Sequence, residues 1–218
     1  CSGVRLYPIA AGLILPFGRQ RSTWSANSGR LTRGSRLSIG STGSLGQQTL
    51  EVVREHGQYF QIVALATYKN IELLEQQIKE FSPEIVAVYD EEQAQKLSQR
   101  LNKISAKKRP QLLKGNEGWI KIATHPKTEK VVFVSSGLTA LESLEEAIIQ
   151  HKQIALANKE IIVAAGEAIM HLAKQHGIPI VPIDSEHSGI FQCLQGEDIR
   201  NVEKIILTCS GGPFYGKS

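Results

Sequence analysis

Short β-rich runs alternate with longer helical segments along the chain from residue 37 onward. Apolar runs at 61–67 (QIVALAT), 84–90 (EIVAVYD) and 130–134 predict buried strands. Each is followed by a segment with apolar residues three or four positions apart, which predicts an amphipathic helix. Such alternation is typical of a parallel sheet with helices on both faces. The sequence therefore predicts an α/β fold with a doubly wound, mostly parallel sheet.

The remaining elements follow from the same periodicities and from helix boundary signals. Additional strands are predicted at 37–39, 112–113, 153–157, 179–183 and 202–208. Helices are predicted at 45–55, 71–81, 93–101, 117–123, 138–151 and 160–175, the last ended by Gly177. Because crossovers between parallel strands are right-handed, every strand-to-helix loop should lie along one edge of the sheet, where ligands bind.

Charge is distributed unevenly along the 218 residues. Residues 1–36 contain six arginines and no acidic residue, whereas the rest of the chain contains 19 basic and 21 acidic residues. The part that should fold is therefore slightly acidic, and we expect no nucleic-acid partner for it. No apolar run approaches the ~20 residues that span a bilayer, so we expect no membrane partner either.

Residues 1–36 are rich in Arg, Ser and Gly and lack a sustained apolar period. We predict a non-structural leader here, which could be a disordered tail, a transit peptide or an upstream stretch wrongly included in the reading frame. The three cysteines have no metal-ligand spacing and are typical of a reducing compartment. The predicted location is the cytoplasm, or a plastid if the leader is a transit peptide.

A glycine-rich loop, GSTGSLG, occupies residues 40–46 between the first predicted strand and the first predicted helix. Glycine lets the backbone turn tightly and approach a pyrophosphate, and the amides at the new helix N-terminus then point at the phosphates. In this strand–turn–helix context the loop predicts a Rossmann-type dinucleotide site. The alternative is a plain glycine- and serine-rich turn without a ligand.

The end of the second predicted strand distinguishes NAD from NADP. An NAD site offers a carboxylate there to the ribose hydroxyls, whereas NADP needs a cation for its 2′-phosphate. The segment 66–70 reads ATYKN, with no acid before Glu72. Lys69 and Asn70 can contact a phosphate, so the sequence favours NADP. The alternative for Lys69 is an ordinary solvated loop lysine.

Three polar clusters follow the ends of later strands, at 157–160, 184–187 and 208–214. Asp184 and Glu186 lie two apart, and in an extended chain both carboxylates would face one way. Their hard oxygens suit Mg²⁺ or Mn²⁺ and would leave coordination sites for substrate oxygens. Lys159 could hold an anionic substrate group, and Ser210 with its neighbouring glycines could hold a phosphate monoester. The alternatives are surface acids, an exposed helix-start lysine and a plain turn.

Together these motifs resemble the 1-deoxy-D-xylulose-5-phosphate reductoisomerase family. The resemblance runs from about residue 37 to the end of the chain, and its motifs are GSTGSLG (40–46), LANKE (156–160), DSEH (184–187), IFQ (190–192) and SGGPF (210–214). It implies rearrangement and NADPH-dependent reduction of 1-deoxy-D-xylulose 5-phosphate to 2-C-methyl-D-erythritol 4-phosphate, a step of the non-mevalonate isoprenoid pathway. It also implies a divalent metal (Mn²⁺, Mg²⁺ or Co²⁺) that polarises substrate oxygens, and a homodimer for the full-length protein.

The resemblance also assigns roles by position. The residues implied to bind NADPH are Thr42, Gly43, Ser44, Leu45, Lys69, Asn70, Asn158 and Glu160. Those implied to contact the substrate are Lys159, Ser185, Glu186 and Ser210, with Lys159 and Glu186 as the catalytic residues. Asp184 and Glu186 would bind the metal. Tyr68 stands where the family usually has glycine, before the Lys-Asn pair.

The resemblance predicts two domains, an NADPH-binding Rossmann domain at 37–157 and the start of a truncated α+β catalytic domain at 158–218. Family members continue past the SGGPF motif into parts that supply a third metal carboxylate, further phosphate ligands and a lid. We therefore expect this chain to be a fragment that is inactive by itself and binds NADPH weakly or not at all. The alternative is a non-catalytic NADP-binding module, against which the intact LANKE and DSEH motifs argue.

Overall fold

The computed structural model describes residues 35–103, 105 and 109–206. In this part of the chain seven strands alternate with seven α-helices. The strands are β1 (Ser35–Gly40), β2 (Phe60–Thr67), β3 (Ile85–Val88), β4 (Gln111–Lys114), β5 (Lys130–Phe133), β6 (Gln153–Leu156) and β7 (Ile180–Pro182). The helices are α1 (Ser44–Glu55), α2 (Ile71–Phe81), α3 (Glu91–Leu101), α4 (Gly115–Ala123), α5 (Leu141–Ile149), α6 (Lys159–Gln175) and α7 (Ser185–Cys193).

All seven strands belong to one sheet, in the order β4-β3-β2-β1-β5-β6-β7. Every pair of neighbouring strands is parallel, which confirms the predicted parallel sheet. β1 lies in the centre, where Ile39 is in register with Leu65 on one side and with Val132 on the other. The strand order reverses at β1, and such a switch point is where an open parallel sheet binds its ligand.

Helices cover both faces of the sheet, as the doubly wound prediction requires. One apolar cluster joins strand residues to buried side chains of α1, α2 and α3, such as Leu50, Leu74 and Leu97. A second cluster joins the opposite strand face to α4, α5 and α6, through residues such as Trp119 and Leu144. Strand residues alternate between the two clusters because successive side chains point to opposite faces.

Two helix ends show how local geometry sets the boundaries. The predicted helix 138–151 is shorter in the structure, where α5 covers Leu141–Ile149 and Leu138 is exposed. His151 has a φ of 54°, which is incompatible with continuing a right-handed helix. Gly177, with a φ of +66°, follows α6 as predicted, because glycine adopts this conformation without strain.

The strand predicted at 202–208 is wrong for residues 202–206, which form no strand. Ile205 and Ile206 are exposed, and no described strand supplies the backbone hydrogen bonds that a strand needs. Residues 207 and 208 lie outside the described part of the chain.

The predicted leader also extends too far. Ser35 and Arg36 belong to β1, where they are in register with Phe60 and Gln61 of β2. The rest of the leader, residues 1–34, lies outside the described residues. Among the helices that the structure describes, none is both long enough and apolar enough to cross a membrane.

The predicted domain boundary after residue 157 does not coincide with a break in the sheet. β7 pairs in parallel with β6, so the sheet continues past that boundary. Val181 and Ile183 also join the same apolar cluster as α1, α2 and α3. Residues 158–183 therefore share the sheet and the apolar core of the preceding residues, and the predicted division into two domains stays a prediction.

Candidate functional site

The loop between β1 and α1 brings the helix N-terminus against the end of the strand. A Cβ atom on Gly46 would lie 2.3 Å from the carbonyl oxygen of Gly40, so only glycine permits this approach. Gly43 is the N-cap, and a Cβ there would meet no atom within 4 Å. No side chain caps α1, so the first-turn amides of Ser44 and Leu45 can receive an anion.

The same loop is anchored by a buried glutamine of α2. The Ser41 hydroxyl donates to Gln77 Oε1 at 2.5 Å, and Gln77 Nε2 donates to the Ser41 carbonyl oxygen at 3.1 Å. The Ser41 amide donates to the carbonyl of Ala66, which ties the loop to β2 as well. Sequence analysis missed Gln77, although a glutamine between the apolar positions Leu74 and Ile78 was a detectable signal.

A pair of threonines joins the phosphate loop to the end of β2. The hydroxyls of Thr42 and Thr67 are 2.5 Å apart, and Thr67 Oγ1 also accepts from the amide of Asn70. The loop at 40–46 and the Lys69-Asn70 pair therefore lie side by side at the sheet edge where the sequence predicts the strand-to-helix loops. Sequence analysis also missed Thr67, which links the two.

The Lys69-Asn70 pair is exposed at the start of α2. The Asn70 side chain caps this helix, because its Oδ1 accepts from the Leu73 amide at 3.1 Å. Lys69 forms no ion pair with another described residue, so its ammonium is available to an anion. Glu72, the first acid after the strand, is instead held by Arg100 at 2.9 Å. This arrangement suits a phosphate better than a ribose diol.

On the other side of the switch point, Asn158 is buried between β6 and α6. Its Oδ1 accepts from the Ile161 amide, and its Nδ2 donates to the carbonyl of Gly137 at 2.8 Å. Asn158 thus fixes the start of α6 and the loop after β5. Glu160 is exposed in the first turn of α6.

The DSEH motif begins a helix instead of extending a strand. Asp184 is the N-cap of α7, where its Oδ1 accepts from the His187 amide at 3.0 Å. Glu186 and the exposed Ser185 lie in the first turn. The expectation that Asp184 and Glu186 converge through extended geometry is therefore wrong. The first backbone amides of a helix have no hydrogen-bond acceptor within the helix. The Asp184 side chain accepts from one of them, so the chain turns into α7 directly after Asp184.

Lys159, the first residue of α6, lies between the two carboxylates. Lys159 Nζ lies 2.6 Å from Glu186 Oε2 and 3.9 Å from Asp184 Oδ1. Asp184 is buried, and both of its oxygens contact His187 Nδ1, at 3.0 and 2.9 Å. One cation thus already sits near oxygens of both acids.

Electrostatics keep Glu186 ionised. The hydrogen bond from Lys159, followed by those from Ser185 and from its own backbone amide, lowers the pKa of Glu186 to about 2. Two hard oxygen donors suit Mg²⁺ or Mn²⁺. Within the described ranges no three His, Cys, Asp or Glu side chains are grouped to hold a metal. Asp184 and Glu186 could hold such an ion as two of its ligands, and its remaining positions would need oxygen donors from elsewhere.

These groups share the carboxyl edge of the sheet. β7 lies three strands from β1, so the Asp184 site is roughly 14 Å from the phosphate loop along that edge. Lys69 and Asn70 follow β2, on the opposite side of β1. Ser210 and the rest of the SGGPF motif lie outside the described residues, and their role stays a prediction.

Sequence profiles identify the family. The profile described as 1-deoxy-D-xylulose 5-phosphate reductoisomerase matches residues 37–166, more than half of the chain. The chain belongs to the 1-deoxy-D-xylulose 5-phosphate reductoisomerase family. A second profile, for the C-terminal domain of the same reductoisomerase, matches residues 180–218.

Individual reductoisomerases agree with the family assignment. The protein from Lachnoclostridium phytofermentans is 48% identical over 180 residues, which are 83% of this chain and 45% of that protein. The structure from Zymomonas mobilis in complex with NADPH superposes with a TM-score of 0.78 at 29% identity, covering 86% of this chain and 48% of that one. A structure of DOX-P reductoisomerase with NADPH, fosmidomycin and magnesium has a TM-score of 0.70 at 36% identity, covering 75% and 39%. The chain spans about half the length of the curated relatives it matches.

Proposed function

We propose that this chain supplies the NADPH-binding part and two metal ligands of a 1-deoxy-D-xylulose 5-phosphate reductoisomerase. The complete protein would rearrange its phosphorylated sugar substrate and reduce the product with NADPH to 2-C-methyl-D-erythritol 4-phosphate. One observation carries the proposal. A glycine-rich loop, a lysine after β2 without an ion pair among the described residues, and a lysine near two carboxylates all lie along one sheet edge.

The residues proposed to bind NADPH form three groups along this edge, each suited to a different part of the cofactor. Thr42, Gly43, Ser44 and Leu45 surround the uncapped N-terminus of α1 and would bind the pyrophosphate. Lys69 and Asn70 would bind the 2′-phosphate, through the ammonium and the side-chain amide nitrogen. Asn158 and Glu160 would meet the nicotinamide half, because they follow β6 on the far side of β1.

The metal residues would be Asp184 and Glu186, holding Mn²⁺, Mg²⁺ or Co²⁺. Such an ion, when bound, polarises substrate oxygens as a Lewis acid. Glu186, with its low pKa, is an anion at neutral pH and therefore acts as a ligand and not as a proton donor. Lys159 can donate hydrogen bonds to an anionic oxygen of the substrate, and Ser185 and Ser210 would complete the substrate contacts.

For the complete protein we further propose a homodimer in the cytoplasm that acts on a small phosphorylated sugar without a nucleic-acid or membrane partner. The low charge of the chain after residue 36 supports the absence of a nucleic-acid partner. Analytical ultracentrifugation of a full-length protein would test the dimer.

Cofactor choice can be measured by titrating the chain with NADPH and NADH in a calorimeter. We expect NADPH to bind more tightly, and Lys69→Ala to remove most of the difference, because the lysine carries the charge opposite the 2′-phosphate. Equal affinities for both nucleotides would contradict the assignment to NADP.

Metal binding can be measured by electron paramagnetic resonance of Mn²⁺. Asp184→Asn and Glu186→Gln should each weaken Mn²⁺ binding, because each removes an anionic ligand. Asp198→Asn is the matched control, since Asp198 is paired with Arg200 in a turn outside the site. Tight NADPH binding with no Mn²⁺ binding at this site would favour a non-catalytic nucleotide-binding module instead.

A further inference from the structure

Tyr68 is an exposed aromatic residue at the carboxyl edge of the sheet. Tyr68 is the first residue after β2, directly before Lys69, and it is 50% exposed. A tyrosine with this exposure contributes less to a hydrophobic core than a buried one.

The Tyr68 ring is nevertheless held in place. It stacks on Tyr89 with ring centroids 5.1 Å apart and planes 15° from parallel. Tyr89 in turn packs edge-to-face against the buried Trp119, at 5.2 Å. The backbone fixes both segments as well, since the Tyr89 amide donates to Thr67 and the Asp90 amide donates to the Tyr68 carbonyl. One face of the Tyr68 ring is thus supported by a stack that reaches the core, while half of the side chain remains in solvent.

The position of the ring indicates what could stack on it. Lys69 is the cation proposed for the 2′-phosphate, and the threonine pair connects this segment to the phosphate loop. In NADPH the 2′-phosphate and the adenine are attached to adjacent carbons of one ribose. A residue next to the 2′-phosphate contact is therefore within reach of the base.

We propose that Tyr68 is the stacking platform for the adenine ring of NADPH, supported by Tyr89 and Trp119. This inference rests on the proposed NADPH site. Nucleobases stack on aromatic side chains through their π faces, and alanine substitution of such a platform typically weakens binding roughly tenfold. Tyr68 would thereby increase affinity for the adenosine half without contacting the reacting nicotinamide.

The test uses 2′,5′-ADP and 5′-AMP as probes of the adenosine half, with the 218-residue chain in a calorimeter. Tyr68→Ala should weaken the binding of both probes by the same factor, roughly tenfold, whereas Tyr68→Phe should bind both as the unmodified chain does. Lys69→Ala should weaken 2′,5′-ADP far more than 5′-AMP. Ile149→Ala, at an exposed residue where α5 ends, is the control and should change neither affinity.

An NMR measurement separates stacking from an indirect effect on the loop. Ring currents should shift the adenine H2 and H8 resonances of bound 2′,5′-ADP upfield in the unmodified chain and in Tyr68→Phe, and the shift should be lost in Tyr68→Ala. Unchanged affinity of Tyr68→Ala, alongside weakened binding by Lys69→Ala, would overturn the platform but leave the NADPH site intact. If Lys69→Ala weakened 2′,5′-ADP no more than 5′-AMP, the proposed NADPH site would fail and the platform with it.

Discussion

Glu186 and Lys159 form the closest ion pair at the proposed metal site, with 2.6 Å between Nζ and Oε2. Because hydrogen bonds from Lys159, Ser185 and its own backbone amide lower the pKa of Glu186 to about 2, this carboxylate is ionised at neutral pH and becomes protonated only as the pH falls toward that value. We expect Lys159→Met to raise the pKa of Glu186 toward its ordinary value of 4.5. Carbon-13 NMR titration of the Glu186 carboxyl measures this shift directly.

The control for that titration is Lys174→Met, which removes an exposed lysine from the last turn of the same helix. It should leave the pKa of Glu186 unchanged. If Lys159→Met also left it unchanged, the ion pair between Lys159 and Glu186 would not exist in solution.

Gly46 and Gly43 differ in whether the phosphate loop leaves room for a side chain. Alanine normally stabilises a helix by about 1 kcal/mol relative to glycine. At Gly46 the added Cβ would lie 2.3 Å from a carbonyl oxygen, so we expect Gly46→Ala to lower the free energy of unfolding by about 1–3 kcal/mol or more. Urea denaturation measures the change.

Gly43→Ala is the matched variant, since φ is −75° and no atom lies within 4 Å of the added methyl group. We expect its stability to change by less than ~0.5 kcal/mol. Its NADPH affinity should fall, because the methyl group would occupy space beside the helix N-terminus. Equal stability of the two variants would refute the close approach at Gly46.

Helix α2 holds the phosphate loop through the side chain of Gln77. Gln77→Ala would remove the side-chain amide that bonds to the hydroxyl and the carbonyl of the buried Ser41, and both groups would lose these hydrogen bonds. We expect a loss of about 1–3 kcal/mol in the free energy of unfolding, together with weaker NADPH binding. Thermal or urea unfolding and calorimetry provide the two measurements.

Gln76→Ala, at the exposed neighbouring position of α2, controls for the general effect of shortening a glutamine on this helix. It should change stability by less than ~0.5 kcal/mol and leave NADPH affinity unaltered. A Gln77→Ala variant as stable as Gln76→Ala would show that the loop does not depend on α2.

The periodicity of the sequence predicted most helices and strands correctly because it reports which face of each element is buried. α2 covers Ile71–Phe81 as predicted, and α3 covers Glu91–Leu101, two residues longer than the predicted helix 93–101. The strand at 202–208 was predicted from the same apolar pattern and is absent at 202–206. A strand also requires a neighbouring strand, and local periodicity carries no information about that partner.

At the level of the whole molecule, the described residues provide one carboxyl edge that is shared by the residues proposed to bind the nucleotide and the metal. We expect the 218-residue chain alone to show no turnover, because its described part supplies only two carboxylates to the metal site. A chimera should be active if residues 37–206 replace the corresponding part of the Lachnoclostridium phytofermentans relative, which is 48% identical over 180 residues. NADPH oxidation with 1-deoxy-D-xylulose 5-phosphate, followed by absorbance, is the assay.

The same chimera with Asp184→Asn should be strongly impaired, and added Mn²⁺ should restore part of its activity if the ligand is weakened rather than lost. A folded chimera without turnover, or one indifferent to Asp184→Asn, would contradict the role assigned to this edge.

The sequence by itself determined the parallel α/β architecture, the phosphate loop and the set of polar residues that follow the strands. It could do so because side-chain periodicity and turn chemistry are local, and because right-handed crossovers send all such loops to one edge. Only the tertiary structure decided which of these residues touch. Ser41 forms a hydrogen bond with Gln77, 36 positions away in the sequence, and Lys159 forms one with Glu186, 27 positions away. The packing of the intervening helices and strands brings each pair together. Tyr68, Tyr89 and Trp119 likewise form one stack only because β2, β3 and α4 pack side by side.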